Sequence, residues 1–200
     1  KEQAISKKER IRAERKIATC QEEVEKAKRT EADFKRDLEY INSYNGAKAT
    51  LLLNLPQAST EEVGRELHRI AKTYRNGAYG TVGTYAGLNL LVHSEYNMDG
   101  TFDRNTFFVE GISGLKYRCG LSGALPLGFV ESAQYPHGAL SKLPSLIEKQ
   151  QKAVERIESE IPTLQKIVCR QWSKTDELSR FKQECKELQH RIDESLKEAE

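Results

Sequence analysis

"LNLLVHSEYNMDGTFDRNTFFVEGISGLKYRCGL", residues Leu88–Leu121, is the stretch whose period decides the fold. Leu88, Leu90 and Val92 recur at every second position, "NMDGT" (97–101) supplies a turn, "TFFVE" (106–110) follows and "GISG" (111–114) turns the chain again. Tyr117, Cys119 and Leu121 then alternate with Lys116, Arg118 and Gly120. A period of two residues between Gly/Asn/Asp turns is the signature of antiparallel strands joined by hairpins. Upstream, "ATLLLNL" (49–55) places Leu51, Leu53 and Leu55 on one side of a further strand that Pro56 ends. "STEEVGRELHRIAKTYRNG" (59–77) reads as a short helix: Ser59 and Glu62 form a capping box, Val63, Leu67, Ile70, Ala71 and Tyr74 make one apolar face, and Asn76-Gly77 closes it. "ESAQYPHGALSKLP" (131–144) reads as a joint leading back to helix.

Outside this region the period is helical. From Lys1 to about Tyr44 there is no proline or glycine, and Ile17, Cys20, Val24, Ala27, Phe34, Leu38 and Ile41 follow a three/four spacing broken only by Glu31. That is a narrow coiled-coil seam on a helix stopped by Asn45-Gly46. After Leu143, Ile147, Val154, Ile157, Ile161, Leu164 and Val168 form a second seam, bent at Pro162, and Leu178, Phe181, Cys185, Leu188 and Ile192 a third. Continuing the second register reaches Gln171 and Thr175, so the two stripes are out of phase and the helix breaks near Trp172, with Ser173 and Asp176 as a weak restart signal. A reversal there gives a three-stranded stalk with the N-terminal helix; a kink is the competing reading.

The expected fold class is therefore α+β: a small antiparallel sheet with one covering helix, inserted at the tip of a long antiparallel, coiled-coil-like helical stalk. The expected divisions are 1–46 for the N-terminal stalk helix, 47–138 for the α+β head and 139–200 for the C-terminal stalk helices, broken near 170–175.

Composition agrees with solvated helices around a small core. Charged residues make up 31% of the 200 and aromatics 8%, and the mean hydropathy is -0.68. The 32 basic and 30 acidic side chains are interleaved and leave a net charge of +2, so nucleic-acid binding needs a local patch rather than an overall field. Four scattered cysteines without a CxxC pair point away from a disulfide framework or zinc knuckle and towards a reducing, cytoplasmic setting. No apolar run approaches the roughly 20 residues of a membrane helix. The chain starts without methionine and stops in helical sequence, as a piece of a longer protein would.

Candidate chemistry is sparse. "GAYGTVGTYAG" (77–87) resembles a phosphate-cradling loop, but no Lys-Ser/Thr follows it and no helix starts after it; its glycines read as strand bends and bulges. His68, His93, His137 and His190 have no second ligand at metal spacing, Cys20 and Cys185 read as small apolar seam residues, and no Ser, His and Asp set is recognisable. Catalytic residues, metal ligands and cofactors are therefore not expected. The strongest polar constellation is basic: Arg65, Arg69, Lys72 and Arg75 on the polar side of the short helix, with Lys116 and Arg118 on one strand face, residues that could grip phosphates. Glu61, Glu62 and Glu66 share that helix, so a plain solvated face competes with this reading.

The order "STEEVGRELHRIAK" (59–72), "VGTYAGLNLLV" (82–92), "FFVEG" (107–111), "YRCGL" (117–121) and "LPSLIEKQQKAVERIESEIPTLQKIVCRQWSKTDELSRFKQECKELQHRI" (143–192) resembles the C-terminal region of very large bacterial proteins. These are helicase and DNA-methylase proteins related to Swi/Snf-type motors and carried on conjugative elements and phages. The resemblance covers most of residues 50–196 and is most specific at Gly83-x-Tyr85-x-Gly87 and around Trp172. It implies that enzymatic activity belongs to the parent, since no Walker A sequence, acidic helicase box or methyl-donor loop occurs in this chain. The chain would then be an accessory module whose partners are the rest of the parent polypeptide and DNA, with no membrane. The alternative is a structural coiled-coil module that associates with another protein chain, a second copy included, through the stalk.

Overall fold

The computed structural model describes residues 2–44, 50–55, 58–120, 125–170 and 174–198. Along them run α1 (Glu2–Ser43), β1 (Leu51–Leu53), α2 (Thr60–Thr73), β2 (Gly80–Tyr85), β3 (Leu88–Tyr96), β4 (Phe102–Glu110), β5 (Lys116–Arg118), α3 (Phe129–Leu140), α4 (Leu143–Cys169) and α5 (Thr175–Glu198). The chain divides into two units, Glu25–Glu155 and the paired segments Lys1–Val24 and Arg156–Glu200.

The Glu25–Glu155 unit is α+β. Its five strands form one antiparallel meander in the order β1-β2-β3-β4-β5. The β2–β3 hairpin turns through Ala86 (φ 51°) and Gly87 (φ 76°), the paired positive values that a tight hairpin with the strands' own twist requires. Four residues before Ala86, the register slips between Thr81 and Gly83, leaving Val82 as a bulge. A Cβ at Gly83 would collide with the Leu52 carbonyl of β1, so the glycine is what lets the edge strand approach. These glycines therefore serve strand geometry, as their context predicts.

Register sorts the side chains cleanly. Leu88, Leu90, Val92 and Ser94 of β3 share one face with Asn105, Phe107 and Val109 of β4, Tyr117 of β5 and Leu51 and Leu53 of β1. All are buried, and the apolar ones meet Val63, Leu67 and Ile70 of α2 and Ala133, Ala139 and Leu140 of α3 in one core. Burying each large aliphatic side chain there contributes about 1.5–3 kcal/mol.

Three details of this unit differ from the sequence reading, the first being that β1 ends at Leu53 and leaves Leu55 exposed rather than in line with Leu51 and Leu53. Residues expected to be a joint form α3, so two helices cover the inner face of the sheet rather than one. Pro136 lies inside that helix and is buried, so the packing of Ala133, Ala139 and Leu140 outweighs the amide donor that proline lacks. Gly64 is what brings α2 and α3 together: a Cβ there would run into the Phe129 carbonyl. The Ser59–Glu62 capping box does start α2, but the helix ends at Tyr74 (ψ 132°), ahead of Asn76-Gly77. Its stop is tertiary. Asn105 Nδ2 donates to the carbonyls of Ala71 and Tyr74 at 2.9 Å each, while Asn105 Oδ1 accepts from Ser94 Oγ at 2.7 Å. Carbonyls that a helix C-terminus leaves unpaired are thus satisfied by an amide from the sheet.

In the same unit α1 and α4 lie side by side. Ala27, Ile147 and Val154 are buried, Phe34, Leu38 and Ile41 pack on the sheet's core, and Gln151 Nε2 donates to Glu31 Oε1 at 2.9 Å. Glu31, the polar intruder in the α1 seam, therefore has a partner. In the other unit Ala13, Cys20 and Val24 are buried and Lys16 pairs with Glu160 at 3.1 Å, again joining α1 to α4, which runs unbroken through Pro162. The third seam behaves differently. Phe181, Cys185, Leu188 and Ile192 of α5 are exposed, and Leu178 is half-buried. The expected third strand of a closed stalk is not formed among the described residues, because the α5 stripe has no apolar surface against it, and Cys185 is not a buried seam residue. The stops at Asn45-Gly46 and Pro56, and the break at Trp172, lie outside the described residues.

Candidate nucleic-acid interface

Strand parity that buries Leu90 and Phe107 sends their neighbours to the opposite face. There stand Leu52, Thr81, Leu91, His93, Glu95, Arg104, Thr106, Phe108, Glu110, Lys116 and Arg118, an outer face built from all five strands. Tyr79, just before β2, folds over it. Its ring centroid is 4.8 Å from that of His93 and 5.3 Å from that of Phe108, edge-on to the latter, and Lys116 Nζ lies 5.1 Å from its centre. The Tyr79 ring remains 48% exposed. Aromatic rings held on a sheet beside cations are the elements of a stacking surface.

The cations of this face are held by carboxylates. Arg118 and Arg104 both reach Glu95, at 3.2 and 3.1 Å, and Thr106 Oγ1 donates to the same carboxylate at 2.7 Å. The Thr106 hydroxyl first, and then the two guanidinium groups, hold Glu95 below the usual carboxylate range. Lys116 pairs with Glu110 at 3.2 Å; Asn89 and Lys116 together lower that carboxylate. Asp103 also reaches Arg104, at 2.9 Å, so three cations are held by three acids around an aromatic centre.

The six cations singled out from the sequence do not form one patch. Lys116 and Arg118 lie on the outer face, whereas α2 covers the inner one. On α2, Arg65 is paired with Glu61 at 2.6 Å and Arg69 with both oxygens of Glu66 at 2.6 and 2.7 Å, within the helix. The Arg69 hydrogen bond holds Glu66 low. Arg75 lies 3.5 Å over the Phe102 ring. Lys72 is exposed and has no ion-pair partner among the described residues. A cleft of about 460 Å³ between α2 and the β1–β2 end is lined by Arg69, which Glu66 neutralises, and by Arg75, which stacks on Phe102 and donates to the Tyr74 carbonyl. The cation pattern was legible; its neutralisation across strands was not.

Elsewhere the structure makes pairs that the sequence did not suggest, and each has a structural job. His68 Nε2 lies 3.0 Å from Ser132 Oγ, which is also 2.8 Å from the Gly128 carbonyl and 3.1 Å from that of Pro126. Carbonyls only accept, so the single hydroxyl hydrogen goes to them and His68 must donate Nε2–H to Oγ. That polarity is the reverse of a base activating a nucleophile. His137 Nδ1 meets the Tyr85 hydroxyl at 3.1 Å. Among the described residues no three His, Cys, Asp or Glu side chains converge as a metal needs, and no helix is long and apolar enough to cross a membrane.

Among the described residues the most buried charge-bearing group is Asp37 of α1, fully excluded from solvent. It accepts from Ser113 N at 2.9 Å, Ser113 Oγ at 2.6 Å and Tyr117 Oη at 2.5 Å. A Cβ at Gly111 would strike this carboxylate, so the 111–114 turn is shaped around it. Asp37 follows Phe34 by three and precedes Ile41 by four, which is the only trace in the sequence that it faces inward.

No curated protein and no solved structure matches this chain. A family model described as a domain of unknown function (DUF8438) matches residues 35–140, a span that opens beside Asp37 and closes with α3. That span is more than half of the chain, and the chain belongs to this family.

Proposed function

We propose that this chain is a non-catalytic binding module that contacts single-stranded nucleic acid through the outer face of its sheet. It would serve in the cytoplasm as an accessory part of a DNA-processing protein of the helicase and DNA-methylase kind. The observation that carries the reading is the exposed Tyr79 ring set against His93 and Phe108 with Lys116 beside it. Base–aromatic stacking is worth about 1–3 kcal/mol per base and tolerates any sequence. The resemblance of residues 50–196 to the helicase and methylase proteins supports the parentage.

The ion pairs refine what kind of binding to expect. Six free cations on phosphates would give a steep loss of affinity with salt. Here Arg65, Arg69, Lys116 and Arg118 already hold carboxylates, so few counterions are released and stacking supplies the larger share. Fluorescence anisotropy of a labelled single-stranded oligonucleotide at about 50 mM salt should report binding by micromolar protein, with a shallow salt slope of roughly one or two. Absence of any anisotropy change under those conditions contradicts the proposal.

A second reading, association with another protein chain, is favoured by the exposed stripe of α5.

A further inference from the structure

The five stripe residues of α5 recur at spacings of three, four, three and four, which places Leu178, Cys185 and Ile192 at the a positions of a heptad and Phe181 and Leu188 at the d positions. Within the chain this seam is open: Phe181, Leu188 and Ile192 are 48%, 56% and 53% exposed. A helix with an a/d stripe against water is stabilised when another such stripe covers it.

We propose that α5 pairs with α5 of a second copy of this chain as a parallel, in-register coiled coil. The stripe itself selects the arrangement. Antiparallel packing sets each a residue against a d residue, and with three a and two d residues one apolar side chain is left unmatched. Parallel pairing sets every stripe residue against its own copy, so all five layers close. Of the five, Leu188 at d and Ile192 at a have the shapes that favour two strands.

Charge complementarity agrees. In the parallel register the g residue Glu177 of one helix faces the e residue Lys182 of the other, and Glu184 faces the neutral Gln189, so no like charges oppose one another across these positions. Glu177 and Lys182 hold no ion pair within the chain among the described residues, whereas Arg180–Glu184 and His190–Glu194 are tied along the helix at 3.4 and 3.2 Å. The complementary pair Glu177 and Lys182 is thus left uncommitted within the chain, while Glu184 and Gln189 are engaged along the helix by Arg180 and Asp193.

This inference is independent of nucleic-acid binding and is tested without it. Sedimentation equilibrium of the full chain should give a concentration-dependent dimer. Leu188→Glu, at a side chain that is already exposed, should weaken dimerisation by at least about tenfold by burying a charge against its copy, with unchanged circular dichroism. Parallel register also brings Cys185 against Cys185 at the helix interface, so in a Cys169→Ser background mild oxidation should yield a disulfide-linked dimer that Cys185→Ser abolishes. A chain that stays monomeric to its solubility limit, a dimer indifferent to Leu188→Glu, or a dimer that will not cross-link at Cys185 each overturns the proposal.

Discussion

The Tyr117 hydroxyl donates to Asp37 Oδ2 at 2.5 Å, a bond between residues 80 apart in the sequence that fastens a long charged helix to the far edge strand of the sheet. Ser113 contributes its amide and its hydroxyl to the same carboxylate. A carboxylate removed from water is tolerated when its lone pairs are met by donors of this kind, and the donors in turn depend on it.

Asp37→Ala leaves the Ser113 amide and the Tyr117 phenol without acceptors in a buried site. The expected loss is about 2–4 kcal/mol, and Asp37→Asn, which keeps one acceptor oxygen, should lose less. Urea unfolding of the two variants measures this. A loss below about 0.5 kcal/mol for the alanine variant would mean that α1 is not anchored here.

Asn105→Asp replaces the amide that donates to the Ala71 and Tyr74 carbonyls with a carboxylate aimed at the negative end of a helix. A destabilisation of about 3 kcal/mol or more is expected, larger than for Asn105→Leu, which only leaves the carbonyls unsatisfied. Equal losses in the two variants would contradict the tertiary stop of α2.

Much of the sheet was legible before any coordinates, because Leu88, Leu90 and Val92 carry a period of two that no helix buries and Ser59 and Glu62 fix where α2 starts. α3 was hidden: Pro136 and Gly138 argue locally for a break, and what overrides them is packing against Gly64 and the strands, which no window of sequence contains. The α5 stripe was visible as a pattern, but a pattern does not say what lies against it. At the candidate site the parity of Lys116 and Arg118 was readable and so were the acids within reach on α2. The pairing of Arg118 with Glu95, and the arrival of Tyr79 over His93, depend on cross-strand register.

Alkaline pH should destabilise the fold through two neutral groups. Burial pushes the Cys119 thiol up to about 12, and burial, then the Asp37 carboxylate, raises the Tyr117 phenol above its ordinary value. Both folded-state values exceed the unfolded ones, near 8.5 for a thiol and 10 for a phenol. The stability they contribute is therefore complete below those values and is lost as pH climbs towards the folded ones, by about 1.4 kcal/mol per pH unit for each group that only the unfolded chain ionises. The urea midpoint should fall between about pH 8.5 and 10, and Cys119→Ala should flatten that fall. A midpoint unchanged over that range, or a fall unaltered by Cys119→Ala, contradicts the assignment.

Thiol reactivity should divide the cysteines into two classes. Cys169 and Cys185 are exposed and Cys20 and Cys119 are buried, so an aromatic disulfide reagent in dilute native solution should react rapidly with the first two and reach the others only on unfolding. Rapid modification of all four in the native state would contradict the burial of the α1 seam and the sheet core.

The most direct test of the outer face as a binding surface is the affinity for a single-stranded oligonucleotide with and without the Tyr79 ring. Tyr79→Ala removes a half-exposed ring packed on His93 and Phe108, so it should cost about 0.5–1.5 kcal/mol of stability and leave the chain folded, while weakening binding roughly five- to hundredfold, the range that loss of one base stack spans. Charge reversal at Lys72, on the helix that covers the other face, should do little. Unchanged affinity in Tyr79→Ala, or a greater loss at Lys72 than at Tyr79, would contradict the account.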